Sequence, residues 1–164
     1  MGRILCVANQ KGGVGKTTTA VNLAAGLAKS GARTLLVDLD PQCNATSGLG
    51  HQPTASHALV SGQPILEAVE QTSVPDLDLL SGSRRFGDIE ALARDDGPKA
   101  ATFEQRLMAT ANAYDFVLID CPPSLGQLTK TALAASTEVF MPIQCEYFAM
   151  EGLAQMIDVI REVM

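Results

Sequence analysis

The segment Gly12-Gly-Val-Gly-Lys-Thr-Thr18, set between a short apolar run and a helical pattern, constrains this chain more than any other feature. Arg3-Ile-Leu-Cys-Val-Ala8 is β-prone. From Lys16 to Lys29 the residues Ala20, Leu23, Ala24, Leu27 and Ala28 recur at helical spacing, and Gly31 is placed to stop the helix. A strand, a glycine-rich turn and a helix in this order form the context that a phosphate-binding loop requires. Glycines let consecutive backbone N–H groups turn inward, and a side chain there would block the anion. The first turn of the helix adds unpaired N–H groups and the positive end of its dipole. Lys16 supplies a full positive charge for the β- and γ-phosphates, and the Thr17 hydroxyl is placed to ligate Mg²⁺. The usual pattern G-x-x-x-x-G-K-[ST] would put glycine at position 10, whereas this chain has Gln10 followed by a second loop lysine, Lys11. A flexible turn explains the glycines alone. It does not explain Lys16-Thr17 after them.

Thr34-Leu-Leu-Val-Asp-Leu-Asp40 reads as a second buried strand ended by Pro41, and Asp115-Phe-Val-Leu-Ile-Asp120 as a third, closed by Pro122-Pro123. Strands apolar at nearly every position, joined through a crossover helix, belong to a parallel sheet covered on both faces. The fold class expected is therefore α/β, a P-loop nucleotide-binding fold with a mostly parallel sheet and helices on both faces. Residues 41–63 read as loop with a short helix, Leu66–Val69 as another short helix, Leu77–Leu80 as a short strand and Phe103–Ala113 as a helix. A helix over Leu125–Ala135, a strand over Val139–Ile143 that contains Pro142, and a final helix complete the pattern. Met150, Leu153, Met156, Ile157, Ile160 and Val163 form one stripe of that last helix, expected to pack on the sheet. Its polar face carries Arg161 among Glu151, Asp158 and Glu162, which is not the basic face of a membrane-surface helix.

Asp38 and Asp40 end the second strand and Asp120 the third. In an open parallel sheet ligands bind beyond the carboxyl ends of the strands, so these carboxylates are expected on the edge that carries the phosphate loop. Mg²⁺ and a water nucleophile both need oxygen acceptors there. A turn or cap accounts for any one of the three singly, and poorly for all together.

Composition narrows the classes further. With 164 residues, 46% of them hydrophobic and 18% charged, one domain with a sizeable core is expected and general disorder is excluded. A net charge of −6 argues against coating nucleic acid by bulk electrostatics, although a local basic patch stays open. Cys6, Cys43, Cys121 and Cys145 have no C-x-x-C spacing, so reduced thiols are expected rather than a disulfide framework or zinc site. No signal peptide or membrane-length apolar run is present in the sequence, and the expected location is cytoplasmic. His51 and His57 have no ligand spacing. Arg84-Arg85, the paired arginines, read as a solvated helix start.

Lys11-Gly-Gly-Val-Gly-Lys-Thr-Thr18, Leu36-Val-Asp-Leu-Asp-Pro-Gln42 and Val117-Leu-Ile-Asp-Cys-Pro-Pro123 together resemble the deviant Walker A ATPases, and most of all the ParA/Soj partitioning branch. Asn22-Leu-Ala-Ala25, Asn44-Ala-Thr-Ser-Gly-Leu-Gly50 and Gln144-Cys-Glu-Tyr-Phe-Ala-Met-Glu-Gly152 are similar to that branch as well. The resemblance implies a slowly hydrolysing, ATP-driven dimerisation switch that binds DNA non-specifically in its ATP state and associates with the nucleoid. It implies ATP and Mg²⁺ held by Lys11, Gly12, Gly13, Val14, Gly15, Lys16, Thr17 and Thr18. Lys11 would reach the phosphates of a partner subunit, Asp40 would position the attacking water, and Thr17, with Asp120 through water, would hold the metal. Its implied partners are a second copy of the chain, a centromere-binding ParB-type protein and DNA, without a membrane.

Family members continue beyond Met164, so residues 1–164 are expected to form the N-terminal part of a single ParA-type domain whose C-terminal third is missing. The resemblance implies that the segment holding adenine and much of the DNA-binding surface lie in that third, and a bare sheet edge is expected where it would follow. Three alternatives remain at this point. One is a MinD-like positioning ATPase at the membrane, and another a metal-cluster carrier, for which Cys121 beside Asp120 is the one suggestive thiol. The third is an ATP-binding protein unable to turn ATP over.

Overall fold

The computed structural model describes residues 2–86 and 98–164, and over 98–103 the backbone alone. Its strands are β1 (Arg3–Val7), β2 (Thr34–Asp38), β3 (Glu70–Gln71), β4 (Leu77–Leu80), β5 (Phe116–Asp120) and β6 (Glu138–Phe140). The helices are α1 (Lys16–Lys29), α2 (Asn44–Gly48), α3 (Ala58–Ser61), α4 (Ile65–Ala68), α5 (Pro98–Ala111), α6 (Gln127–Ala134) and α7 (Ala149–Val163).

The strands form one sheet in the order β3-β4-β2-β5-β1-β6, parallel throughout except for the antiparallel β3 at one edge. β5 lies between β1 and β2, with Leu5, Leu118 and Leu36 in one row across the three strands and Val7, Asp120 and Asp38 in a row nearer their carboxyl ends. Alternate side chains go to opposite faces. Leu5, Val7, Leu36, Leu77, Leu79 and Leu118 pack under Ala20, Ala24 and Ala28 of α1, whose small side chains let the helix sit close to the sheet. On the other face Ile4, Cys6, Leu35, Val37, Val117 and Ile119 meet Leu107 of α5, Leu128, Ala132 and Leu133 of α6, and Met156 of α7. Helices thus cover both faces, as the continuous apolar strands require.

The expected elements are present, with differences at their ends. β6 stops at Phe140, before Pro142, which has no N–H to give to a ladder. β2 stops at Asp38 because the backbone N–H of Asp40 turns back onto the Asp38 Oδ1 at 3.1 Å. β3 has no counterpart in the sequence reading: it is two residues long, both exposed and polar, and pairing with β4 alone makes it a strand. Residues 41–63 contain α2 and α3 rather than one short helix. Of the stripe on α7, Met156 is buried and Val159, Ile160 and Val163 pack partly against the core, while Met150 stays exposed. Arg84 and Arg85 are exposed in a turn, and the helix expected after them falls on residues outside those described.

The row through Leu118 gives a direct stability test. Leu118→Ala empties a fully buried position in the central strand and should cost about 2–5 kcal/mol. Leu66→Ala, at a side chain that is mostly exposed, should stay within about 0.5 kcal/mol. Urea unfolding of the two variants checks the contrast.

Candidate functional site: a phosphate cradle at the strand ends

The turn between β1 and α1 needs backbone that only glycine adopts freely. Gly13 has φ +71° and Gly15 φ +87°, both in the left-handed region, and a Cβ on either would meet nothing within 4 Å. Space is therefore not the constraint there; backbone conformation is. Gly15 is also the residue before α1, which begins with no side-chain cap, so its first amides face the loop without a protein acceptor from a cap. Lys16 folds back so that its Nζ donates to the carbonyl of Lys11 at 2.8 Å, drawing the loop into a cup. Its side chain is only 6% exposed. Burial lowers the Lys16 pKa from the usual lysine range, against the opposing pull of the Asp120 and Asp40 carboxylates.

Thr17 Oγ1 donates to Asp120 Oδ2 at 2.8 Å, which ties α1 to the end of β5. Asp120 is fully buried, and its other oxygen, Oδ1, has no protein partner. Desolvation pushes its pKa up to about 7, with the Thr17 hydrogen bond working the other way and the nearby Asp38 and Asp40 charges adding to the rise. A buried carboxylate with a free oxygen beside a threonine hydroxyl is a donor set suited to a hard cation with its water. No group of three or more His, Cys, Asp or Glu that could hold a metal occurs among the described residues.

A cleft of about 390 Å³ opens over the loop, lined by Gly12, Gly13, Gly15, Lys16, Thr17 and Thr18 with Asp40, Gln42, Asn44 and Pro123. Asp40 is nearly buried at its wall, and its Oδ1 accepts from the backbone N–H of Gln42 at 2.9 Å. Val14, within the loop, is buried. Asp38 departs from the expectation of three carboxylates facing one ligand. Its Oδ2 accepts from both the N–H and the hydroxyl of Thr46, at 2.9 and 2.6 Å, and the Thr46 hydroxyl oxygen in turn accepts from the N–H of Gly82 at 2.8 Å. Asp38 joins β2, α2 and the end of β4, and burial raises its pKa despite those bonds. A Cβ on Gly82 would stand 2.9 Å from the Asp38 Cγ, so glycine there lets the carboxylate in.

Lys11 lies on the outer lip, its amine paired with Glu146 rather than aimed into the cleft. Asn9, Gln144 and Glu146, which bind the lip to the segment after β6, carried no site role in the sequence reading. The available signals were their position beyond the carboxyl ends of adjacent parallel strands and, for Gln144 and Glu146, the likeness of the segment 144–152 to the ParA/Soj branch. Cys6 and Cys121 are buried thiols with sulfurs 3.2 Å apart, and Cys43 is buried while Cys145 is exposed. The histidines have local roles: His51 contacts Glu70 at 3.0 Å, and His57 is a buried cap that accepts from the N–H of Leu59. No helix among the described residues is long and apolar enough to cross a membrane.

A parallel α/β sheet with a glycine cup, an inward lysine and a Thr–Asp pair at the strand ends defines the class of P-loop nucleotide-binding proteins. A family profile described as an AAA domain matches residues 2–164, and the chain belongs to that family as a ParA/Soj-type member. It is 45% identical over 170 residues to the chromosome partitioning protein ParA of Myxococcus xanthus, covering 99% of this chain and 60% of that protein. To the sporulation initiation inhibitor protein Soj of Bacillus subtilis it is 44% identical, covering 98% of this chain and 66% of that one. The chain thus spans less than two thirds of the length of these relatives. Among solved structures it matches cobyrinic acid a,c-diamide synthase from Mycobacterium smegmatis with bound ADP and magnesium, at TM-score 0.91 and 39% identity, covering 99% of this chain and 68% of that one. It also matches a plasmid partition protein from Borrelia burgdorferi, at TM-score 0.86 and 28% identity over 99% of this chain and 75% of that one.

The raised Asp120 pKa fixes the sign of a pH effect. The folded chain holds this proton from about pH 4 to about pH 7 while the unfolded chain releases it, so the contribution to stability is present at low pH and fades as pH rises towards 7. Asp120→Asn, compared with the parent without nucleotide, should therefore gain stability at pH 8 and lose that gain at pH 4. Thermal melts at the two pH values measure it; equal differences at both would mean that Asp120 is not held protonated.

Proposed function

We propose that this chain is the nucleotide-binding part of an ATP-hydrolysing dimerisation switch that serves chromosome or plasmid partitioning, with residues 1–164 acting as one domain. The observation that carries the reading is the Gly12–Thr18 cup, drawn in by Lys16 and joined through Thr17 to a buried Asp120 with one free oxygen. Supporting it is 45% identity to a named chromosome partitioning protein. The Mycobacterium smegmatis neighbour carries ADP and magnesium under a different activity, so the nucleotide grip belongs to the shared fold and the partitioning role rests on the sequence relatives.

The backbone amides of residues 12–18 and the amino end of α1 hold the β- and γ-phosphates, and Lys16 neutralises charge between them. Mg²⁺, when bound, would offset further phosphate charge, with Thr17 and, through water, Asp120 as the residues that would hold it. Asp40, at the cleft wall, orients the water that attacks the γ-phosphate and accepts its proton. Lys11 supplies the remaining charge to the phosphates of a second chain, which confines efficient hydrolysis to the pair. A hydrolysis rate limited in this way is slow, which suits a timer. The ATP-bound pair binds DNA non-specifically within the cytoplasm, on the nucleoid, and a ParB-type partner stimulates hydrolysis and release.

Calorimetry with ATP and Mg²⁺ tests the base of the reading: the parent should bind, and Lys16→Ala should weaken binding by about a hundredfold or more. A parent that gives no heat with soluble, folded protein overturns it. Two variants then separate the roles. Asp40→Ala should keep ATP-dependent pairing and stop phosphate release. Lys11→Ala should lose pairing-dependent turnover by a factor approaching the ~10³–10⁵ known for arginine fingers. Sedimentation velocity and phosphate assays on the same samples provide both readouts.

A further inference from the structure

We propose that Thr46 is a positioning residue for the hydrolysis step: through Asp38 it holds the turn that presents Asp40 to the cleft. The proposal rests on the reading above in which Asp40 orients the attacking water.

Asp40 is held by a short turn. Its N–H donates to Asp38 Oδ1 at 3.1 Å, and its carbonyl accepts from the N–H of Cys43 at 2.8 Å. The Gln42 N–H donates to its Oδ1 at 2.9 Å. The turn is strained at one point. Cys43, just before α2, has φ +55°, in the left-handed region that a residue with a Cβ adopts unfavourably. Such backbone persists only where its surroundings over-determine it. Here the end of β4 supplies the confinement: Cys43 is fully buried, and a Cβ on Gly82 would stand 3.1 Å from its sulfur.

One oxygen joins these parts. Thr46 Oγ1 donates to Asp38 Oδ2 at 2.6 Å and accepts from the N–H of Gly82 at 2.8 Å, while the Thr46 N–H reaches the same Asp38 oxygen at 2.9 Å. Gly82 is fixed in turn, its carbonyl accepting from the N–H of Thr54 at 2.8 Å. Thr46 and Asp38 are fully buried, so water does not compete for these bonds. Asp38 thus has one oxygen on the Asp40 turn and the other on Thr46. Without the hydroxyl, the Gly82 N–H loses its acceptor and the Asp38 carboxylate is free to rotate off the Asp40 N–H. The strained turn then relaxes, and Asp40 moves from the cleft wall. Phosphate binding is spared, because the contacts that draw in the cup run from Lys16 to Lys11 and from Thr17 to Asp120, not to Asp38 or Thr46.

Thr46→Val keeps the branched shape and removes the hydroxyl. Well below its melting temperature, phosphate release at saturating ATP and Mg²⁺ should fall by about ten- to a hundredfold, the loss expected when a reacting group is slightly misplaced. Calorimetric affinity for ATP and ATP-dependent pairing in sedimentation velocity should match the parent. Thr46→Ser, which returns the hydroxyl, should recover most of the lost turnover. Parental turnover in Thr46→Val would overturn the proposal. So would an equal loss of ATP affinity, which would make Thr46 a support of the whole site, or a Thr46→Ser variant no better than Thr46→Val. Residue-resolved amide exchange in the nucleotide-free parent supplies a test that needs no variant to fold: the Asp40 and Gly82 amides should be protected and open together. Rapid exchange at Asp40 beside a protected Gly82 would overturn the link. Failure of the underlying reading looks different: Asp40→Ala would then release phosphate like the parent, although the two amides still open together.

Discussion

The insertion of β5 between β1 and β2 is the constraint on which the rest of this molecule depends. The crossover through α1 carries the chain past one strand position, and β5 fills it in parallel register with both neighbours. Because all three strands run the same way, their carboxyl ends share one edge, and whatever follows each strand meets there. The phosphate loop follows β1, the Asp40 turn follows β2, and Asp120 closes β5. A sheet in sequence order would put β2 beside β1 and move Asp120 away from Thr17.

Burial then divides the two loop lysines between different kinds of work. Lys16 is surrounded by protein, and its amine is pinned to a carbonyl of the same loop. Its charge is thereby preorganised, with little left to reorganise when an anion arrives. Lys11, a few residues earlier, is in contact with water and with one exposed carboxylate. Water weakens that contact and leaves the side chain able to exchange partners. The same residue type thus serves as a fixed element in one place and a movable one in the other.

Asp120 and Asp38 show the parallel division among carboxylates. Both are fully buried, and desolvation raises the pKa of both. Asp38 is compensated inside the protein by Thr46 and by the N–H of Asp40, which makes it part of the scaffold. Asp120 has one internal donor, Thr17, and an oxygen left over. An unsatisfied buried oxygen is unfavourable in the free chain, and on the proposed reading a cation with its water would remove that penalty.

The fold class and the loop were legible along the chain because both are local in origin. Apolar strands, a helical period and glycines at a turn act through neighbours in sequence, and Gly12–Thr18 carries its chemistry in one contiguous piece. Strand ends were less legible, since a two-residue strand such as β3 exists only through the partner it pairs with. Which of Asp38, Asp40 and Asp120 faces the cleft could not be read from their positions at strand ends; that depended on Thr46 and Gly82 reaching Asp38 from other elements. The ion pair at the lip was least legible of all, because Lys11 and Glu146 meet only when β6 lies against β1. Local chemistry is written in consecutive residues, whereas the pairing of distant charges is settled by sheet order and register.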